Sequence, residues 1–250
     1  MSRGRSGTIA QHTLRLFPHA ELLVHRSERD DYAGLVPRGR LLLHDEPGFP
    51  DLIAYCLDRF GNDHVAYLDD DHVSLVCKVG WRARVYVDPE VCAAVVRATA
   101  QCALDAGAKL FGFASNAGPA TFRPYLPFRF NALIGTMHGV LAEHGLEVDP
   151  RLRLTWDVDL CLQSLLKHRI LWIDSRWCLT TGFFSNDGGL ASARSQAQFE
   201  EEWRVLRSKW GHYVRFDSVA APWSQRRKLG LPATRPMVYF NVPRAQPSFS

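Results

Sequence analysis

The chain has 250 residues, enough for one large α/β domain or two small ones and for a substantial core; its 46% hydrophobic and 22% charged content is ordinary for a globular protein. No apolar run approaches membrane-spanning length, and Met1-Ser2-Arg3-Gly4-Arg5 is not followed by a signal-peptide core, so a cytoplasmic protein without a membrane partner is expected. The net charge of +4 is uneven: residues 201–250 hold nine Lys and Arg against three Asp and Glu, a local +6 that suggests a polyanionic partner, densest at Arg226-Arg227-Lys228.

In chain order, Ser2 to Gly7 reads as a basic loop, and Thr8 to Phe17 as a helix ended by Pro18. Strands are expected at Glu21–His25 and Arg40–Leu43. A helix over Asp51–Phe60 carries Leu52, Ile53, Cys56, Leu57 and Phe60 on one face. Val65 to Leu68 is short and apolar, the pattern of a strand buried on both faces. Val73–Cys77 and Trp81–Val87 form a hairpin pattern. Asp88-Pro89-Glu90 then starts the clearest helix, which runs to Ala106 with Gly107 placed to end it.

Leu110–Ala114 reads as the next buried strand. Ser115 to Phe130 has three prolines and interleaves aromatics with Arg123 and Arg129, either an active-site loop or an irregular linker. Asn131–Val140 is ambiguous, with a strand one reading. The segment opening at Thr155 is an amphipathic helix whose last turn holds Lys167, His168 and Arg169. Strands at Ile170–Asp174 and Trp177–Thr180, a polar loop at Ser185–Gly189 and a surface helix at Ser195–Trp210 complete the pattern. Alternating strands and helices predict a layered α/β domain with a mainly parallel central sheet. Six cysteines stand singly without zinc spacing and read as reduced core residues.

Two acidic constellations carry the functional reading. Asp69-Asp70-Asp71 follows the strand at its C-terminal end, where open α/β sheets place ligands. Alternation along extended backbone sends Asp69 and Asp71 to one side and Asp70 to the other. Adjacent carboxylates repel unless something positive sits among them, and a hard divalent cation bridging to substrate phosphates meets that need. The bland alternative is a turn or a helix cap. The second constellation, Asp157 and Asp159, lies at the positive end of a helix and off its apolar stripe. One of the two would suffice as a cap, and a carboxylate held there can also serve as a base.

Together Leu68-Asp69-Asp70-Asp71, Asp157-Val158-Asp159-Leu160 and Gly188-Gly189 resemble the GT-A fold glycosyltransferases, over most of residues 1–200. Within them the pattern is similar to the TET/JBP-associated family, found in phages and beside DNA-hydroxylating dioxygenases. The resemblance implies a GT-A-like single domain over residues 1–200, with a nucleotide-sugar-binding half at 1–115 and an acceptor half at 116–200. Residues 201–250 would form a basic helix and tail packed upon it. It implies transfer of a sugar from a nucleotide-sugar donor, a UDP-sugar in the first instance, to a hydroxymethylated base in DNA; a phage-encoded chain would work in its host's cytoplasm.

On the same resemblance Asp69 and Asp71 would hold Mn²⁺ or Mg²⁺, and Asp69 would also meet the donor. Arg3, Arg5 and Arg194 would contact the nucleotide or its phosphates, and Asp157, or failing it Asp159, would be the base. The family has Glu where this chain has Trp156 and Phe where it has Leu160, so the base is shared between two candidates. Rival readings are a glycosyltransferase acting on a glycan or small molecule, a nucleotidyltransferase, and a catalytically silent DNA-binding module.

Overall fold

A computed structural model of the chain describes residues 4–135, 137–181, 196–217 and 235–238. The N-terminal helical stretch is broken at His12 into α1 (Ser6–Gln11) and α2 (Thr13–Leu16). β1 (Leu22–His25), α3 (Arg29–Tyr32) and β2 (Leu41–His44) follow, with β1 and β2 paired in parallel. α4 (Phe49–Arg59) buries Leu52, Ile53, Cys56 and Leu57, the face its spacing predicts. Then come β3 (Val65–Leu68), β4 (His72–Val79) and β5 (Arg82–Tyr86). In α5 (Pro89–Asp105) the N-cap Asp88 carboxylate accepts from the Val91 N–H at 3.0 Å, and Gly107 beyond its end adopts φ +74°. The remaining elements are β6 (Leu110–Phe113), β7 (Phe128–Arg129), β8 (Met137–Val140), α6 (Trp156–His168), β9 (Trp172–Asp174), β10 (Trp177–Thr181), α7 (Gln196–Trp210), β11 (Val214–Asp217) and β12 (Arg235–Val238).

The mainly parallel central sheet expected of a GT-A-like α/β domain is not what forms. The largest sheet is mixed, in the order β3-β8-β6-β9-β7, and only its β6–β9 pairing is parallel. A second sheet, β10-β4-β5, is wholly antiparallel. The reason lies in how β8 is reached. A parallel neighbour needs a crossover, usually a helix, whereas the connection from β6 to β8 contains only a short 3₁₀ turn and β7, so β8 returns antiparallel. It wedges between β3 and β6, and Gly139 permits this, since a Cβ there would lie 2.1 Å from the Phe111 ring. β3 is consequently an edge strand of its sheet and half-buried, not buried on both faces as its apolar run predicts.

The mixed sheet has a core on each face. Leu110 and Ile173 pack with Ile53 and Leu57 of α4 and Leu160 and Leu165 of α6. On the other side Phe111, Phe113 and Met137 meet Leu16 of α2, Cys92 and Ala103 of α5, and Leu75 and Leu179 of the second sheet. α7 lies across α6 through Trp203 and Leu206 against Val158 and Leu162. The cysteines are free thiols, four of them buried. Among the described residues no helix is long and apolar enough to cross a membrane.

Candidate functional site

The Asp69-Asp70-Asp71 turn between β3 and β4 is held from the N-terminus of the chain. The Thr13 hydroxyl donates to the Asp69 carbonyl at 2.7 Å and accepts from the His72 N–H at 3.0 Å, while the Asp69 N–H donates to His72 Nε2 at 3.1 Å. His72 is fully enclosed, and burial holds its imidazole neutral by lowering its pKa to about 3. Arg5 Nη1 donates to Asp70 Oδ1 at 3.0 Å, and the Arg5 N–H donates to the Tyr32 hydroxyl at 2.9 Å. Asp70 is thus buried and ion-paired, Asp71 half-buried, and Asp69 exposed, on a turn rather than on the extended backbone the alternation assumes. The pKa of Asp69 is raised, by the protein around it and then by the negative charges of Asp71 and Asp70, with Arg5 opposing the rise.

The start of α6, which carries Asp157, is tied to the strand pair β3–β8 through β8. Leu68, just before the acidic turn, is paired with Met137, and Tyr67 with His138. The His138 ring lies tilted against that of Trp156, the first residue of α6, with centroids 4.8 Å apart, and Asp157 follows it. Asp157 does not cap the helix from the N-cap position, which belongs to Thr155; within the first turn its Oδ1 accepts from the Val158 N–H at 2.9 Å. Desolvation raises its pKa to about 6 against the lowering effect of that hydrogen bond, and nearby Glu202 adds to the rise. His138 is kept neutral by burial, near 4, and its Nε2 is enclosed with no hydrogen-bond partner.

Asp159 is differently placed. The sequence puts it beside Asp157, off the apolar stripe, yet it is 1% exposed because α7 gives α6 a second buried face. Lys209 Nζ (2.9 Å) and Gln163 Nε2 (2.7 Å) donate to its Oδ2, and Trp210 Nε1 (2.7 Å) donates to its Oδ1. Its carboxylate is saturated and ties two helices together. A hollow of about 560 Å³ beyond it is lined by Asp149, Arg151, Lys209 and Trp210, whose charges are paired with one another. Two residues that no local pattern singles out complete the region. Thr13 fixes the acidic turn, and buried Glu202 of α7 accepts through Oε2 from the N–H groups of Leu154 and Thr155 and from the Thr155 hydroxyl at 2.8–3.0 Å.

The donor set can be tested against a divalent ion. Mg²⁺ and its relatives take oxygen ligands and are commonly held by one or two carboxylates, with substrate phosphates completing the shell. Asp69 and Asp71 offer two carboxylates from one turn, and the raised pKa of Asp69 marks a site where added positive charge is favoured. They fit an ion shared with a phosphate-bearing substrate. They do not fit an all-protein cage, since no group of three or more His, Cys, Asp or Glu side chains is gathered for a metal among the described residues. Arg3, Arg194, Gly188-Gly189 and Arg226-Arg227-Lys228 lie outside the described residues. No protein-family model, no curated protein and no solved structure matches this chain.

Proposed function

We propose that the chain is a metal-dependent transferase that moves a sugar from a nucleotide-sugar donor, UDP-sugar being the first to test, to an acceptor hydroxyl. A hydroxymethylated base in DNA is the acceptor favoured by the basic residues 201–250. The observation that carries the reading is that an acidic turn and a separate carboxylate are both tied to the β3–β8 pairing, Asp157 raised to about 6 and Asp69 raised as well. Two carboxylates with distinct surroundings suit distinct tasks, one binding a cation and one taking a proton.

In this reading Asp69 and Asp71 hold the ion. When bound, it neutralises the charge developing on the departing nucleoside diphosphate. Arg5, partly engaged by Asp70, sets the turn's shape and adds positive charge beside the donor phosphates. Asp157 accepts the proton of the acceptor hydroxyl, and a pKa near 6 leaves it ionised at neutral pH while keeping it more basic than an ordinary carboxylate. Trp156 and His138 give the base an aromatic wall. Asp159 takes no part beyond holding α6 against α7.

The test is incubation of the chain with hydroxymethylcytosine DNA, a panel of nucleotide sugars and Mn²⁺, followed by nucleoside mass spectrometry. The expected product is a glycosylated nucleoside with release of nucleoside diphosphate, both lost in Asp71→Ala that remains folded by circular dichroism. Pyrophosphate release with a nucleotidylated product would instead define a nucleotidyltransferase, and an untouched donor panel would remove the enzymatic reading.

A further inference from the structure

The β4–β5 hairpin is the most exposed apolar feature of the molecule's described part. Val79 pairs with Arg82, so Gly80 and Trp81 form a two-residue turn in which Gly80 takes φ +59° and Trp81 stands 87% exposed at the tip. β5 has one neighbour, β4, and Val85 and Val87 are exposed along and just beyond it. Arg82 and Arg84 share one face of this edge strand. Neither guanidinium makes an ion pair or a hydrogen bond among the described residues. The hairpin is not isolated. The Lys78 N–H donates to the Arg176 carbonyl at 2.7 Å, and the Ser175 N–H donates to the Pro127 carbonyl at 2.8 Å. Arg176 in turn sits 4.9 Å over the Phe128 ring. This joins the turn end of the hairpin to the 119–129 segment, where Tyr125, Arg123 and Arg129 are also exposed.

We propose that the hairpin surface of Trp81, Arg82 and Arg84, with Tyr125 on the segment tied to it, binds single-stranded DNA, with a base stacked on the Trp81 indole and phosphates met by the arginines. Charge on an edge strand ordinarily serves only to discourage strand addition, and arginines alone would carry no more than that. An almost fully exposed indole beside them is not explained by such protection, and aromatic rings set among cations are what base stacking along a phosphate backbone requires. A second copy of the chain is the rival occupant. Two β5 edges pairing antiparallel about Arg84 would set the guanidinium groups of both copies against one another, an arrangement that like charges disfavour. The same cations attract a polyanion. The proposal rests on the DNA-acceptor reading for its choice of polymer and deepens it by naming where the strand is held, but it is read out by binding alone.

The experiment uses the full chain and a fluorescein-labelled 15-mer oligothymidylate, followed by anisotropy across a salt series with neither donor nor metal present. Trp81→Ala should weaken binding about tenfold or more with little change in salt slope, and Trp81→Phe should restore most of the loss. The double variant Arg82→Gln/Arg84→Gln should lower the slope of log affinity against log salt by about 1.4, two single-strand phosphate contacts. Both substitutions lie on exposed positions, and circular dichroism checks that the fold is kept. Variants that bind as the parent does at every salt overturn the proposal, as does a dimer seen by light scattering that Trp81→Ala dissolves. A chain that binds the oligonucleotide through these residues but transfers no sugar keeps this surface and loses the proposed activity, so the two failures are distinct.

Discussion

Two aspartates two positions apart, Asp157 and Asp159, have opposite duties, and substitution should separate them. Asp157→Asn keeps shape and the hydrogen bond from Val158 while removing the base, so turnover should fall by about 10²-fold with melting temperature little changed. Asp159→Ala removes the partner of Lys209, Gln163 and Trp210 in a buried site; it should cost about 3–5 kcal/mol of stability, seen as an earlier denaturation midpoint. The pair also predicts a pH dependence. Asp157 rises from 3.8 to about 6 on folding, so between those values the folded chain keeps a proton that the unfolded chain releases. Its contribution to stability therefore falls as pH rises through that window, while turnover rises with pH through about 6 as the base ionises. A pH–rate profile flat between 5 and 7 at saturating Mn²⁺ would contradict Asp157 as the base. In the sequence both aspartates are legible as acids at a helix start. What is not legible is their difference, because Lys209 and Trp210 stand about fifty positions further on and nothing near Asp159 announces them.

At the scale of elements, α6 shows how a site can depend on a helix that does not touch it chemically. Thr155 is the N-cap but makes no side-chain cap bond; the N–H groups of Leu154 and Thr155, just before the helix, are satisfied by Glu202 reaching across from α7. Glu202→Ala leaves those donors buried and unmet. The expected loss is about 1–3 kcal/mol, a fall in melting temperature of several degrees, together with reduced turnover because Asp157 follows two residues after Thr155. Glu202→Gln, which still accepts, should recover part of both. Local pattern gave several elements closely: α4 and α5 appear where apolar spacing and the Asp88-Pro89 start put them. Strand direction was out of reach. β8 is four residues long in a stretch without a clear pattern, and its antiparallel return depends on the helix-free path from β6 and on the Phe111 ring seated over Gly139. Periodicity reports which face of an element is buried, not which way its neighbour runs.

For the whole molecule, the charge division makes a prediction independent of the hairpin. If the positive residues 201–250 meet phosphates, affinity for duplex DNA falls steeply with salt, and replacing Arg226, Arg227 and Lys228 together flattens the slope by about 2.7, three duplex contacts. An unchanged slope in the triple variant would make these residues solvated surface. This feature is visible from composition alone, because net charge needs no fold to be counted. The link between the two acidic motifs is the contrary case: it runs through the β3–β8 register and the contact of the His138 ring with Trp156, neither written in either motif.

The clasp on the acidic turn has a consequence for the order in which the chain assembles. Thr13 and Arg5 lie 56 and 65 positions before the groups they grip, so each contact closes a long loop. Hairpins such as β4–β5 need only neighbours and form early, whereas contacts of this separation are slow to arrive. On refolding, strand signals in circular dichroism should recover first and cation binding at the turn only after the N-terminal helices dock. A newly made chain would then be compact before it is competent, and the first sixteen residues would act as the timer of its activity.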